Sequence, residues 1–120
     1  MAWTLDARIP LLLVDDKARL AAALAAGPPA ALLAEAPAPA CPGLALEAFD
    51  SAEAHAPACT CCAGRPAAAI ALDRLFQARV RGQVPWFERV VALAGSASGQ
   101  AQVQAALTGD AVTAARFRPG

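Results

Sequence analysis

Tyrosine is absent from this 120-residue sequence, and histidine, lysine and methionine occur once each, as His55, Lys17 and Met1. The sequence gives no basis for placing a serine and an acid around that one histidine as a catalytic triad. There is also no net charge, since ten basic side chains offset ten acidic ones. That balance argues against a basic nucleic-acid binder and against an acidic tail protein. Long apolar runs are missing too. The nearest, from Leu20 to Leu33, is broken by Gly27-Pro28-Pro29, well short of the roughly 20 residues that span a bilayer. No signal peptide is read at the start, where Asp6 interrupts residues 1–8 and the run Leu11–Val14 ends at Asp15-Asp16. The expectation is a soluble, cytoplasmic protein that engages neither nucleic acid nor membrane.

What is present is alanine, at 35 positions. It inflates the apparent hydrophobicity and leaves a thin complement of large apolar side chains for a core. The length suits one small domain. Charge is unevenly spread: residues 1–58 carry seven acids and three bases, residues 59–120 three and seven. Ordinary scatter of solvated charges accounts for this, though it could also orient a partner.

The continuous apolar run of Ile9–Val14 reads as a short buried strand. Asp15 or Asp16 caps a following helix with Leu20 and Leu24 on one face, stopped at Gly27. Ala30–Ala34 is a weaker second strand, because alanine favours helix. Prolines 37, 39, 42 and 57 with Gly43 make 36–57 a loosely ordered Pro/Ala-rich excursion, within which Leu44–Phe49 forms a short strand or a single turn. Pro66–Arg81 is the clearest helix, with Leu72, Leu75, Phe76 and Val80 recurring at helical spacing and Gly82 ending it. Arg89–Ala94 is a further strand, Gly95–Gly99 a flexible loop, and Gln100–Phe117 a helix interrupted at Gly109-Asp110, where Asp110 caps the second piece. Trp86 and Phe87 are expected in the core or at its edge rather than on a binding surface. Arg74, Arg79 and Arg81 form a small basic face beside Arg89, without the interleaved aromatics of a nucleic-acid site. This order predicts a single α/β domain over 1–120, a three-layer fold with a short parallel sheet and crossover helices.

The sharpest chemistry is Cys59-Thr60-Cys61-Cys62. Thiolates bind borderline and soft metals, and three within four positions fit metal or free thiols better than disulfides. A tetrahedral zinc site needs a fourth ligand, for which Cys41 and His55 are the candidates, with Asp50 and Glu53 as oxygen donors. A water or a transfer partner could equally fill that position. The competing reading is that small cysteines pack a thin core.

This cysteine segment, followed by a helix and then Phe87-Glu88-Arg89-Val90-Val91, resembles the CobW-type P-loop GTPases, which are tied to delivery of zinc, cobalt and related metals. The resemblance continues through Val103–Thr108 to Ala114-Ala115-Arg116-Phe117, and Arg8-Ile9-Pro10 with the strand to Val14 is similar to the family's opening strand. It implies a partial P-loop-like fold. The departures are specific. Val14 is followed by Asp15-Asp16-Lys17-Ala18-Arg19 where the family has a glycine-rich loop ending in Gly-Lys-Thr. Leu93 stands at the position of the acidic strand motif, and Ala58 precedes the cysteines in place of glycine. The sequence also stops at Gly120, before the strands of guanine recognition. Taken together these imply a shortened, degenerate relative without GTPase activity or bound nucleotide. Its expected role is a metal-handling accessory holding zinc or another transition metal through Cys59, Cys61 and Cys62, with Cys41 or His55 closing the shell. The alternative is a ligand-free structural or protein-interaction module that meets a protein partner or a second copy of itself. An enzyme ranks third.

Overall fold

A short, uniformly apolar segment between turn residues buries both faces best inside a parallel sheet, and Ile9–Val14 does so as β1. The computed structural model describes residues 7–39, 41–50 and 65–120. Asp16 caps α1 (Lys17–Ala25), its side chain accepting from the Arg19 amide at 2.7 Å, and Gly27 turns the chain at φ +89°. β2 (Ala30–Glu35) and β3 (Leu46–Phe49) follow, then α2 (Ala67–Val80) and β4 (Arg89–Leu93). The chain then forms α3 (Ala97–Gly109), α4 (Ala111–Arg116) and a three-residue strand, β5 (Phe117–Pro119).

The five strands form one sheet in the order β3-β2-β4-β1-β5, with every neighbouring pair parallel. Leu11–Val14 align with Val90–Leu93, and Ala30–Ala34 with Arg89–Leu93. One face carries Leu11, Leu33, Val90, Ala92 and Phe117 against Leu72 and Leu75 of α2 and Val103 and Ala106 of α3. The other carries Val14, Leu32, Ala34 and Val91 against Leu20 and Leu24 of α1. This is a three-layer α/β arrangement, as the order of elements implies. The second helical layer is the thinner, and Leu12, on the same face of β1 as Val14, is left 42% exposed.

Three sequence expectations change. The part of the excursion before Leu46 is the β2–β3 crossover, made without a helix because its prolines forbid one; Ala38, Cys41 and Leu44 pack against the second face. Gly95–Gly99 is not a loop throughout. Ser96 caps α3, accepting from the Gly99 amide at 2.9 Å, and Ala97–Gly99 already lie in its first turn. Phe117, read as the end of a helix, instead opens β5, whose residues 117–119 pair with Ile9–Leu11. Among the described residues no helix is long and apolar enough to cross a membrane.

An ion network closes the first face. Arg65, just before α2, forms a bidentate pair with Asp110 at 2.8 and 3.0 Å and reaches Asp73 at 3.6 Å. Asp73 also binds Arg116, whose guanidinium lies 4.3 Å from the Phe76 ring. Asp110 caps α4 as well, accepting from the Thr113 amide at 3.0 Å and its hydroxyl at 2.8 Å. The hydrogen bonds from Arg65, reinforced by those of Thr113, hold its carboxyl down to a pKa of about 2 despite burial. A carboxyl depressed in this way contributes stability fully above its ordinary pKa and loses it as pH falls through the folded value. Asp110→Asn should therefore lower stability at pH 7 by about 2 kcal/mol. It should also flatten the loss of stability between about pH 4 and pH 2, as read by urea denaturation across that range.

Candidate functional site

From β1 the chain crosses over β4 to reach β2, whereas from β4 it returns past β1 to reach β5. The connections therefore leave the carboxyl ends of β1 and β4 in opposite directions, and in open α/β sheets such a switch point opens a crevice. Here the crevice is about 340 Å³ and is lined by Asp15, Asp16, Lys17, Glu35, Pro37 and Ser96 among others. Both helix N-termini that face it are occupied by carboxylates of the chain itself. Asp16 caps α1. Glu35, at the end of β2, accepts from the Ser96 amide at 3.1 Å and from the Ser96 hydroxyl. Donors that would hold an anion at the start of α3 are thus already turned to Glu35. Arg19 pairs with Asp15 at 3.4 Å and with Asp16 at 3.8 Å on the exposed side.

Gly99 leaves room for the Glu35 carboxylate in this arrangement. A Cβ at that position would stand 2.6 Å from the Glu35 carboxyl carbon.

A second concavity, about 350 Å³, lies at the opposite end of the sheet. Leu24, Pro28, Pro29, Leu44, Pro85 and Trp86 line it with small residues between them. The sequence places Trp86 and Phe87 in the core or at its edge; Phe87 is in the core, at 1% exposure, while Trp86 is 60% exposed. One face of the Trp86 ring is nonetheless in contact with an arginine. The Arg79 guanidinium carbon sits 3.7 Å from its centroid, and Arg79 Nε donates to the Phe87 carbonyl at 2.8 Å. Burial lowers the pKa of Arg79, with the Glu88 charge opposing the shift. Arg89 holds the turn before β2, donating from Nε to the Pro28 carbonyl at 2.7 Å and from Nη2 to that of Ala26.

Of the proposed cysteine and histidine metal ligands the structure describes Cys41 alone. Cys59, Cys61, Cys62 and His55 lie outside the described residues, as does Glu53. Cys41 is described, as a half-buried free thiol on the β2–β3 crossover beside Leu44. Among the described residues no group of three or more histidine, cysteine, aspartate or glutamate side chains is placed to hold a metal ion. No family model, curated protein or solved structure matches the chain. These findings overturn the resemblance to the CobW-type GTPases, and with it the reading as a zinc-handling accessory with a bound transition metal. Short segments around the cysteines and Phe87–Val91 carried the resemblance, and the turn after β1 is built from carboxylates instead of a glycine-rich loop.

Glu35 and the exposure of Trp86 were missed by sequence reasoning. Glu35 had a signal, being the first charge after the apolar run Ala30–Ala34. For Trp86 the only signal was its position between Pro85 and Phe87, which does not say which of two adjacent aromatics turns inward.

Gly99→Ala tests the Glu35 lock by a reversal of sign. In the native background the added methyl displaces the Glu35 carboxylate from Ser96 and should cost about 1 kcal/mol. In a Glu35→Ala background the clash is gone, and the same substitution should stabilise by about 0.5–1 kcal/mol through helix propensity. Urea denaturation of the four proteins measures both.

Proposed function

We propose that the chain is a protein-interaction module that works without a bound cofactor and offers the Trp86 cleft to a protein partner. The observation that carries this reading is a tryptophan stacked on Arg79 yet more than half exposed at the end of an apolar concavity. Ordering an aromatic side chain before binding removes an entropic cost that association would otherwise meet. Tryptophan and arginine are also the residues on which interface energy most often concentrates.

The switch-point crevice supports the same reading from the other side, because its helix N-termini are turned to Asp16 and Glu35. No catalytic step is assigned to the chain. A cytoplasmic location belongs to the proposal, since that compartment keeps a free thiol such as Cys41 reduced.

Selection of a random displayed peptide library on the folded chain should enrich ligands that depend on Trp86. Trp86→Ala should weaken them by at least about tenfold while the unfolding free energy stays within about 1 kcal/mol of the native value. Failure to enrich any ligand, or enrichment of ligands that bind Trp86→Ala equally well, would contradict the proposal.

A further inference from the structure

The Trp86 cleft has a chemical character specific enough to indicate what fills it. One face of the indole is covered by the Arg79 guanidinium. The exposed area of the ring therefore comes from its edge and opposite face, and a flat apolar surface is open to stacking. Pro28, Pro29 and Pro85 line the concavity beside it. Rigid rings next to an aromatic face give a groove with few internal degrees of freedom to lose. Such aromatic-lined grooves suit polyproline II segments, which are extended and already ordered before they bind.

The rim adds a charge requirement. Arg79 and Arg89 stand behind the lining residues, Arg79 against the Trp86 indole and Arg89 on the Pro28 carbonyl. Among the described residues neither has a carboxylate within 4 Å, in contrast to Arg65, Arg19 and Arg116, which are all paired. Arg79 spends its Nε–H on the Phe87 carbonyl, and Arg89 spends Nε–H and one terminal N–H on Pro28 and Ala26. A guanidinium carries five N–H donors, so each retains terminal donors for a carboxylate. Glu88 is the one carboxylate whose charge is felt at Arg79, and it makes no ion pair there, so two guanidiniums against one carboxylate leave the cleft net positive and complementary to a ligand with an apolar body and acidic flanks.

Resting on the interaction reading above, we infer that the partner contributes an extended, proline-containing segment whose proline ring stacks on Trp86 and whose flanking carboxylates meet Arg79 and Arg89. The same site would then favour acidic proline-rich sequences over neutral ones and reject basic ones.

Synthetic ten-residue peptides test this directly. All carry the same spaced prolines, and the intervening positions hold glutamate, glutamine or lysine; a fourth keeps the glutamates and replaces proline by alanine. Binding is read from tryptophan emission in a Trp3→Phe protein, so that Trp86 is the sole reporter. The glutamate–proline peptide should saturate the signal. The glutamine peptide should bind about tenfold more weakly, and the lysine and alanine peptides more weakly still. Arg79→Gln and Arg89→Gln should each narrow the gap between the glutamate and glutamine peptides, as should salt at about 0.5 M. Equal binding of the glutamate and glutamine peptides would overturn the acidic preference, and equal binding of the alanine peptide would overturn the proline requirement. In both cases Trp86 would still respond, so the interaction reading would stand. If none of the four moves Trp86 emission while a library-selected peptide does, the inferred partner class is wrong and the site is right. If the selected peptide also fails, the interaction reading falls with it.

Discussion

Burying both faces of a parallel sheet with a chain whose commonest residue is alanine is the constraint on which the rest of this structure depends. A parallel sheet must be covered on both sides, yet alanine contributes little apolar area. The solution is to let small residues set the spacing and to concentrate bulk at a few points. Ala31, Ala34, Ala92 and Ala94 are fully buried in and beside the central strands, and Ala68, Ala69 and Ala71 line the inner side of α2. Phe87, Phe117 and Leu33 supply volume between them. Few large side chains are available, so the face over α1 is finished more sparingly than the one over α2 and α3.

Polar groups complete what apolar area leaves undone. Glu35 ties the end of β2 to the start of α3, and Asp110 ties the α3–α4 junction to Arg65. Each carboxylate accepts from a helix N-terminus, where the dipole and the unsatisfied amides favour negative charge. At the switch point this has a functional consequence. The place where open α/β sheets commonly receive a ligand is turned inward on the chain's own side chains, and the apolar cleft at the other end becomes the feature that faces outward.

Much of the fold was legible in the sequence. The strands at Ile9–Val14, Ala30–Glu35 and Arg89–Leu93 follow from short apolar runs between turn residues, and the breaks at Gly27, Gly82 and Gly109 follow from glycine at helix ends. β5 was hidden because Phe117-Arg118-Pro119 is too short for a pattern and carries a proline; it is a strand only because Ile9–Leu11 lies beside it. Strand order was hidden for the same reason, since pairing is settled by long-range contacts. The candidate site was far less legible. Cysteine spacing drew attention to 59–62, whereas the described surface is organised around Glu35 and Trp86. Neither residue type announces its role locally. Glu35 matters through a serine sixty-one positions away, and Trp86 through the arginine that holds its ring.

The most direct test of the interaction account is amide and indole chemical-shift mapping of the folded, isotope-labelled chain titrated with a library-selected peptide. The account predicts shifts concentrated at the Trp86 indole, at residues 27–30 and at 43–45, with residues 15–17, 35 and 96 unmoved. Shifts concentrated at Asp15, Glu35 and Ser96, with the Trp86 indole unmoved, would contradict it and return the function to the switch-point crevice.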